Sequence, residues 1–150
     1  MADEVASARA LGVAVDLDVA VRTACYGKLG EEVMTAQQVC NILKGYRFNY
    51  ANEQNLQEGI KRAFTEEKLI FGEEVSLSKK DRIDFMVERV GVEVKVGHPL
   101  SAVMRQIHRY AQDEQIDELL IVTNRCRHSI IPEIVNGKPV VVLFLGWGSL

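Results

Sequence analysis

Cysteine is scarce in this sequence of 150 residues and follows no ligand or disulfide pattern. Its three cysteines, Cys25, Cys40 and Cys126, are odd in number, lie far apart and include no Cys-x-x-Cys pair. Disulfide frameworks need paired cysteines, and zinc sites need cysteines or histidines at short spacing. Because the three histidines are also scattered, the sequence excludes both and predicts reduced, buried thiols.

Long apolar runs are also missing. No stretch of eighteen apolar residues occurs, although a membrane-spanning helix requires about that length. The acidic start, Met-Ala-Asp-Glu, has none of the basic residues that open a secretory signal peptide. Hydrophobic residues make up 47% of the chain, which suffices for the core of one domain. We therefore expect a cytoplasmic protein with no membrane partner.

An excess of positive charge is the third absence, since the net charge is −3. Proteins that hold nucleic acid along an extended surface are usually basic. Residues 1–75 carry 8 basic and 12 acidic side chains, whereas residues 76–150 carry 10 basic and 9 acidic ones. This distribution argues against tight binding along an extended length of DNA. It is compatible with weak, transient binding of DNA by the second half of the chain.

Two short segments that resemble strands carry charged residues in a suggestive order. In residues 92–96, valines alternate with Glu93 and Lys95, so a strand places both charged side chains on one face. Residues 82–85 form the other segment, and a hairpin between the two would bring Asp84 beside Glu93 and Lys95. Two carboxylates that can hold a divalent cation, with an ammonium beside them, are the minimum set for phosphodiester hydrolysis.

Asp81 competes with Asp84 for the role of the first carboxylate. Asp81 lies in the polar turn of residues 78–81, whereas Asp84 lies inside an apolar strand, where a carboxylate needs a functional reason. Asp84 is therefore the preferred residue. The predicted hairpin turns at Gly91, and the preceding strand is predicted over 74–77, after a turn at Gly72.

Helices are predicted on both sides of these strands. One spans about 17–28, and a second opens at Thr35, which forms a capping box with Gln38, and runs to about residue 44. Asn52 is a suitable N-cap for a third helix, over 53–67. At 100° per residue Glu53 lies beside the apolar face of this helix, and Glu58 lies on the opposite side.

A fourth helix, over about 100–112, follows the Glu93-x-Lys95 segment. Gln106 and Tyr110 are four residues apart and lie together on one flank of its apolar stripe. Continuous apolar runs at 119–122 and 140–145 predict buried strands. A strand-helix-strand order predicts that the first of them pairs in parallel with the strand of Glu93.

This order of elements resembles the core of the PD-(D/E)XK nuclease superfamily, which has the restriction-endonuclease-like fold. It resembles most the compact group of Holliday-junction-resolvase-like and RecB-like nuclease domains. The resemblance covers residues 52–145, about two thirds of the chain, and Ile83 stands where the family name has proline. It implies an α/β fold with a mixed central sheet flanked by helices over 51–150, preceded by an N-terminal helical extension over 1–50.

The resemblance also implies roles for the site residues and a nuclease activity on DNA. Asp84, Glu93 and the main-chain carbonyl of Val94 would hold Mg²⁺ or Mn²⁺, assisted by a glutamate of the first core helix. Glu53 matches that glutamate better than Glu58, which is held in reserve. Lys95 would position the attacking water or neutralise charge at phosphorus, and the products would be 5′-phosphate and 3′-hydroxyl ends.

Residues of the helix over 100–112 complete the implied site. Gln106 and Tyr110 match the Gln-x-x-x-Tyr pattern that follows Glu-x-Lys in RecB-like members, where it lines the site and contacts DNA or orders the lysine. Arg82, Arg105 and Arg109 are candidates for contacts with DNA phosphates.

Two alternatives to a nuclease remain, and the structure of the DNA substrate is also undetermined by the sequence. The fold could be kept as a catalytically inert module that binds DNA or a protein, or the chain could be a small helix-rich regulator, which the apolar strands disfavour. A junction, flap, single strand or duplex would each suit the site. A junction cut symmetrically would require a homodimer.

Overall fold

The computed structural model describes residues 32–146, which form an α/β structure. The helices are α1 (Ala36–Lys44), α2 (Glu53–Glu66), α3 (Leu100–Tyr110) and a 3₁₀ helix (Cys126–Ile130). The strands are β1 (Phe71–Ser76), β2 (Arg82–Val87), β3 (Val90–Lys95), β4 (Glu118–Thr123), β5 (Ile134–Val135) and β6 (Lys138–Phe144). The helix predicted over 17–28 lies outside the described residues. No helix within residues 32–146 has the length and hydropathy to cross a membrane.

The six strands form one mixed sheet in the order β1-β2-β3-β4-β6-β5. Strands β1, β2 and β3 are antiparallel neighbours, whereas β3, β4 and β6 run parallel. The parallel pairing of β3 with β4 confirms the prediction, and it places Glu93 opposite Ile121 and Lys95 opposite Thr123. Helix α3 is the crossover between these two strands, as the strand-helix-strand rule requires.

The predicted N-caps Thr35 and Asn52 are confirmed. The Thr35 side chain accepts from Gln38 N, and the Gln38 side chain accepts from Thr35 N, which completes the capping box of α1. Asn52 Oδ1 accepts from Asn55 N at 2.8 Å and caps α2. The predicted thiol burial holds for Cys40 and is wrong for Cys126, which is exposed in the 3₁₀ helix.

Two turns predicted at glycines are wrong. Gly72 lies within β1, opposite Met86 of β2, and Gly91 lies within β3, opposite the same methionine. The hairpin between β2 and β3 turns instead at Glu88 and Arg89, and Glu88 has a φ of 53°, in the left-handed region. Glycine is a strong turn signal, but these two glycines serve packing within strands.

The sheet separates two apolar cores. Helices α1 and α2 pack on one face, against a cluster that includes Val92, Val94 and Leu120. Helix α3 packs on the other face, against a cluster that includes Leu119 and Ile121. Because Glu93 and Lys95 alternate with Val92 and Val94, both charged side chains lie on the α3 face.

Strand β2 is irregular at Asp84. Its pairing with β3 ends at Phe85, which lies opposite Val92. Residues two apart in a regular strand point to the same face, yet Phe85 packs in the α1–α2 core and Ile83 packs in the α3 core. The backbone therefore rotates at Asp84, and Ile83 comes to lie over Gly91, where a Cβ atom would contact Ile83 Cδ1.

Gly91→Ala is expected to destabilise the protein by about 1–3 kcal/mol, because the added methyl would overpack a closed core. It would contact Ile83 Cδ1, and it would lie 3.1 Å from Leu119 Cδ2 and 3.2 Å from Ile116 Cδ1. Urea unfolding of both proteins measures the difference. Gly45→Ala is the control, because Gly45 has a φ of −76° and its added methyl would meet only Ile42 O, at 3.3 Å. Equal stability of Gly91→Ala and the wild type would contradict the packing described here.

Candidate active site

The Asp84 carboxylate fills the gap where β2 leaves β3. Its Oδ2 accepts from the main-chain N–H of Val94 at 2.7 Å. The N–H of Asp84 points to Glu93 Oε2 at 3.4 Å. The Asp84 side chain thus takes the place of a main-chain carbonyl as the hydrogen-bond acceptor for the buried Val94 N–H. This bond directs the Asp84 carboxylate toward Glu93.

Glu93 and Lys95 are buried charged residues. Their exposed fractions are 3% and 9%, and Lys95 Nζ lies 2.6 Å from Glu93 Oε1. Ionised groups are seldom buried to this extent unless they are paired or serve a function. The structure therefore brings together Asp84, Glu93 and Lys95, the three residues on which the sequence prediction depends, with the main chain of Val94 between the last two.

The Asp84 carboxylate disfavours ionisation of Glu93. Burial, together with the neighbouring charge of Asp84, raises the pKa of Glu93 to about 7 against the lowering effect of Lys95. Burial also raises the pKa of Asp84, and the charges of Glu53 and Glu74 act in the same direction. One lysine does not balance this concentration of carboxylates, so a cation would be bound favourably here.

Glu53 reaches the same end of β3 from the first turn of α2. Its Oε1 accepts from the main-chain N–H of Val96 at 3.2 Å and lies 2.5 Å from His98 Nε2. Glu58 lies further along the helix, where its Oε1 accepts from Gln54 Nε2 at 3.5 Å. Of the two candidates, Glu53 contacts the strand that carries Glu93 and Lys95.

An open groove borders Asp84 between α2 and β1. Its charged lining is mainly acidic and comprises Glu58, Lys61, Glu73, Glu74 and Asp84. Lys61 is paired with Glu73 at 2.9 Å. Phosphate groups are repelled by such a lining, so an anionic strand is expected to approach Asp84 from another side.

Gln106 and Tyr110 are in contact, as their spacing predicts. Gln106 Nε2 donates to the Tyr110 hydroxyl at 2.5 Å, and that hydroxyl donates to the main-chain carbonyl of Arg82 at 2.8 Å. Burial raises the pKa of Tyr110, and the charges of Glu93 and Asp84 raise it further. The pair therefore attaches α3 to the start of β2, two residues before Asp84.

The three arginines predicted to contact DNA differ in their surroundings. Arg82 pairs with Glu74 at 2.8 Å, and Arg109 pairs with Asp81 at 2.9 Å. Arg105 is exposed on α3. The ion pair gives Asp81 a structural partner on α3, whereas Asp84 and Glu93 bond to β3 and Lys95.

A second polar group, at the carboxyl ends of β3 and β4, was missed by sequence reasoning. Buried His128 has its Nδ1 2.6 Å from Thr123 Oγ1 and its Nε2 3.0 Å from the carbonyl of His98. Burial lowers the pKa of His128 and favours its neutral form. The predicted parallel pairing of the two strands could have indicated this group, because residues that follow parallel strands meet at one edge of the sheet.

The donor set suits a hard divalent cation. Asp84 and Glu93 supply carboxylate oxygens, and the carbonyl of Val94 and the Glu53 carboxylate are the remaining candidates. Mg²⁺ and Mn²⁺ favour such oxygen ligands, and Mg²⁺ is usually held by one or two carboxylates with several waters. Within residues 32–146, no three acidic, histidine or cysteine side chains converge as a preformed cluster, so the fit depends on the buried carboxylate of Glu93 and the half-buried carboxylate of Asp84.

Comparison with protein-family models, with curated proteins and with solved structures gave no match for this chain. Its function is therefore inferred from the residues of the site and from the order of the elements that carry them.

Glu93→Gln is expected to remove a pH dependence of stability. Because the folded pKa of Glu93 is raised from 4.5 to about 7, its contribution is present below the unfolded pKa and is lost as the pH rises through about 7. The wild type should lose roughly 1–3 kcal/mol more than the variant between about pH 5 and pH 8. Urea unfolding in EDTA measures both, and titrating groups that lie away from Glu93 contribute equally to the two profiles. Parallel pH profiles of the two proteins would show that Glu93 does not titrate in this window.

Proposed function

We propose that this chain is a metal-dependent nuclease that hydrolyses DNA phosphodiester bonds with Mg²⁺ or Mn²⁺. The observation that carries the proposal is the contact among Asp84, Glu93 and Lys95 at a break in the sheet. A purely structural role offers no reason to place a second, half-buried carboxylate, that of Asp84, against the buried pair of Glu93 and Lys95.

The order of elements supports membership of the PD-(D/E)XK nuclease superfamily, with the restriction-endonuclease-like fold. A helix with Glu53 precedes the hairpin of Asp84 and Glu93, and helix α3 then leads to the parallel strand β4. This is the arrangement that the resemblance implies for residues 52–145. The proposal extends from this order to DNA as the substrate.

The cation would be held by Asp84 and Glu93, with the carbonyl of Val94 and the Glu53 carboxylate as further donors. Once bound, a divalent cation supplies Lewis-acid polarisation of the scissile phosphate and acidifies water at the site. The carboxylates of Asp84 and Glu93 must both be ionised to hold it, which the raised pKa of Glu93 opposes below about pH 7. Activity should therefore increase toward alkaline pH.

Lys95 supplies the positive charge of the protein itself. Its ammonium is positioned by Glu93 Oε1 at 2.6 Å, and its two remaining N–H donors can hold a phosphate oxygen or the attacking water. An ammonium in a buried site stabilises charge that develops on phosphate oxygens more strongly than one in water does. Gln106 and Tyr110 act through the main chain of Arg82 and help to position the strand of Asp84.

Cleavage assays with variants of the same size test the proposal. Purified protein is incubated with labelled duplex, single-stranded, flapped and four-way-junction DNA in Mg²⁺, Mn²⁺ or EDTA. The wild type should cut at least one substrate only with metal, and Asp84→Asn, Glu93→Gln and Lys95→Met should each lose about 10²-fold or more. Asp81→Asn and Glu58→Gln should retain the activity, because neither residue belongs to the proposed centre.

Full activity of purified Lys95→Met would contradict the assigned role of the lysine. If no substrate is cut while DNA is still bound, the chain is the inert binding module instead.

A thermal shift separates cation binding from cleavage. Mg²⁺ in excess of its dissociation constant should raise the melting temperature of the wild type, since a ligand of the folded state stabilises by RT ln(1 + [L]/Kd), about 2.7 kcal/mol at a hundredfold excess. Asp84→Asn should show a much smaller Mg²⁺ shift, because one of the two carboxylates of the proposed centre is gone. Asp81→Asn is the matched control and should shift as the wild type does. Equal shifts for the wild type and Asp84→Asn would place the cation elsewhere.

A further inference from the structure

An arginine without an assigned role lies beside the candidate active site. Lys95 and Thr123 are opposite each other at the ends of β3 and β4, and Gly97 and Arg125 follow two residues later. Arg125 Nη2 donates to the carbonyl of Gly97 at 3.2 Å, and Arg125 N donates to Thr123 Oγ1 at 3.1 Å. These two bonds hold Arg125 at the end of the strand that carries Glu93 and Lys95.

The charge on Arg125 is available to a ligand. Arg82 and Arg109 are each opposed by a carboxylate, but in the described part of the chain no carboxylate forms an ion pair with Arg125. Its side chain is exposed, and the bond to Gly97 uses one of five N–H donors. A partly anchored guanidinium with free donors suits bidentate recognition of a phosphate.

Three basic side chains lie at this end of the sheet, and the charges of Arg125, His98 and Lys95 all act on buried His128, whose pKa is lowered mainly by burial. Lys95 is paired with Glu93 and His98 with Glu53, so of these three described residues only Arg125 has no carboxylate partner. The groove on the other side of Asp84 is mainly acidic. An anionic strand is thus attracted to the edge formed by β3 and β4 and repelled from the groove between α2 and β1.

We propose that Arg125 binds the DNA phosphate next to the scissile one, and so sets the direction in which the strand crosses the site. β3 ends at Lys95, and two residues of chain reach at most about 7 Å, so Gly97, to which Arg125 is attached, lies within about one nucleotide step of Lys95. A phosphate bound at Lys95 would then have its neighbour within reach of the Arg125 guanidinium. This assignment rests on the nuclease function proposed above.

The salt dependence of DNA binding tests the assignment. Binding of a labelled duplex is measured in EDTA, which prevents cleavage, between about 50 and 200 mM salt. Arg125→Gln should weaken binding about tenfold or more, and the slope of log Kobs against log[salt] should decrease in magnitude by about 0.9, the contribution of one phosphate contact. In Mg²⁺, KM for cleavage should rise while kcat is retained.

Two further variants distinguish a phosphate contact from a structural effect. Arg125→Lys keeps the charge and should keep most of the salt slope. Arg127→Gln removes an exposed arginine two residues further along the chain and should bind and cleave as the wild type does.

An Arg125→Gln protein with the wild-type slope, or an equal loss of slope in Arg127→Gln, would overturn the assignment while the nuclease function stands. A wild type that neither binds nor cuts DNA would overturn both proposals.

Discussion

The bond from Val94 N–H to the Asp84 carboxylate is the interaction on which the site depends. In an unbroken antiparallel ladder, a main-chain carbonyl of β2 would accept from β3. Here a side chain accepts at 2.7 Å, β2 rotates, and Ile83 crosses to the opposite face of the sheet, above Gly91. This one exchange opens the sheet and places a carboxylate beside Glu93. Glycine at position 91 makes the exchange sterically possible.

The electrostatics of the site follow from burial. Burial raises the pKa of both carboxyl groups, and the charge of Asp84 adds to the rise for Glu93. Lys95 offsets part of this cost at 2.6 Å from Glu93. A divalent cation would offset the remainder, and the same positive charge is what hydrolysis of a phosphodiester needs. Carboxylates whose ionisation is opposed by their surroundings lower stability but favour chemistry, and such groups are common in functional sites.

Much of this arrangement was predictable from local patterns. The alternation around Glu93 and Lys95, the caps at Thr35 and Asn52, and the parallel pairing of β3 with β4 each follow from rules of short range or of chain handedness. The turns at Gly72 and Gly91 were predicted wrongly because glycine signals a turn equally when it makes room for a buried neighbour.

The particular side-chain contacts between distant segments were not predicted, because they depend on the exact register of the folded sheet. Arg125 meets Gly97, 28 residues away, only through the register of β3 with β4. The ion pairs of Arg82 with Glu74 and of Arg109 with Asp81 also require the folded sheet.

The most direct test of the central claim is a ¹³C NMR titration of the Glu93 carboxyl group with and without Mg²⁺. The two-carboxylate centre predicts a midpoint at about 7 without the cation and a clear decrease in that midpoint when Mg²⁺ is added, because the bound cation favours the ionised form. A carboxyl group that titrates in the ordinary range of glutamate and does not respond to Mg²⁺ would contradict the account.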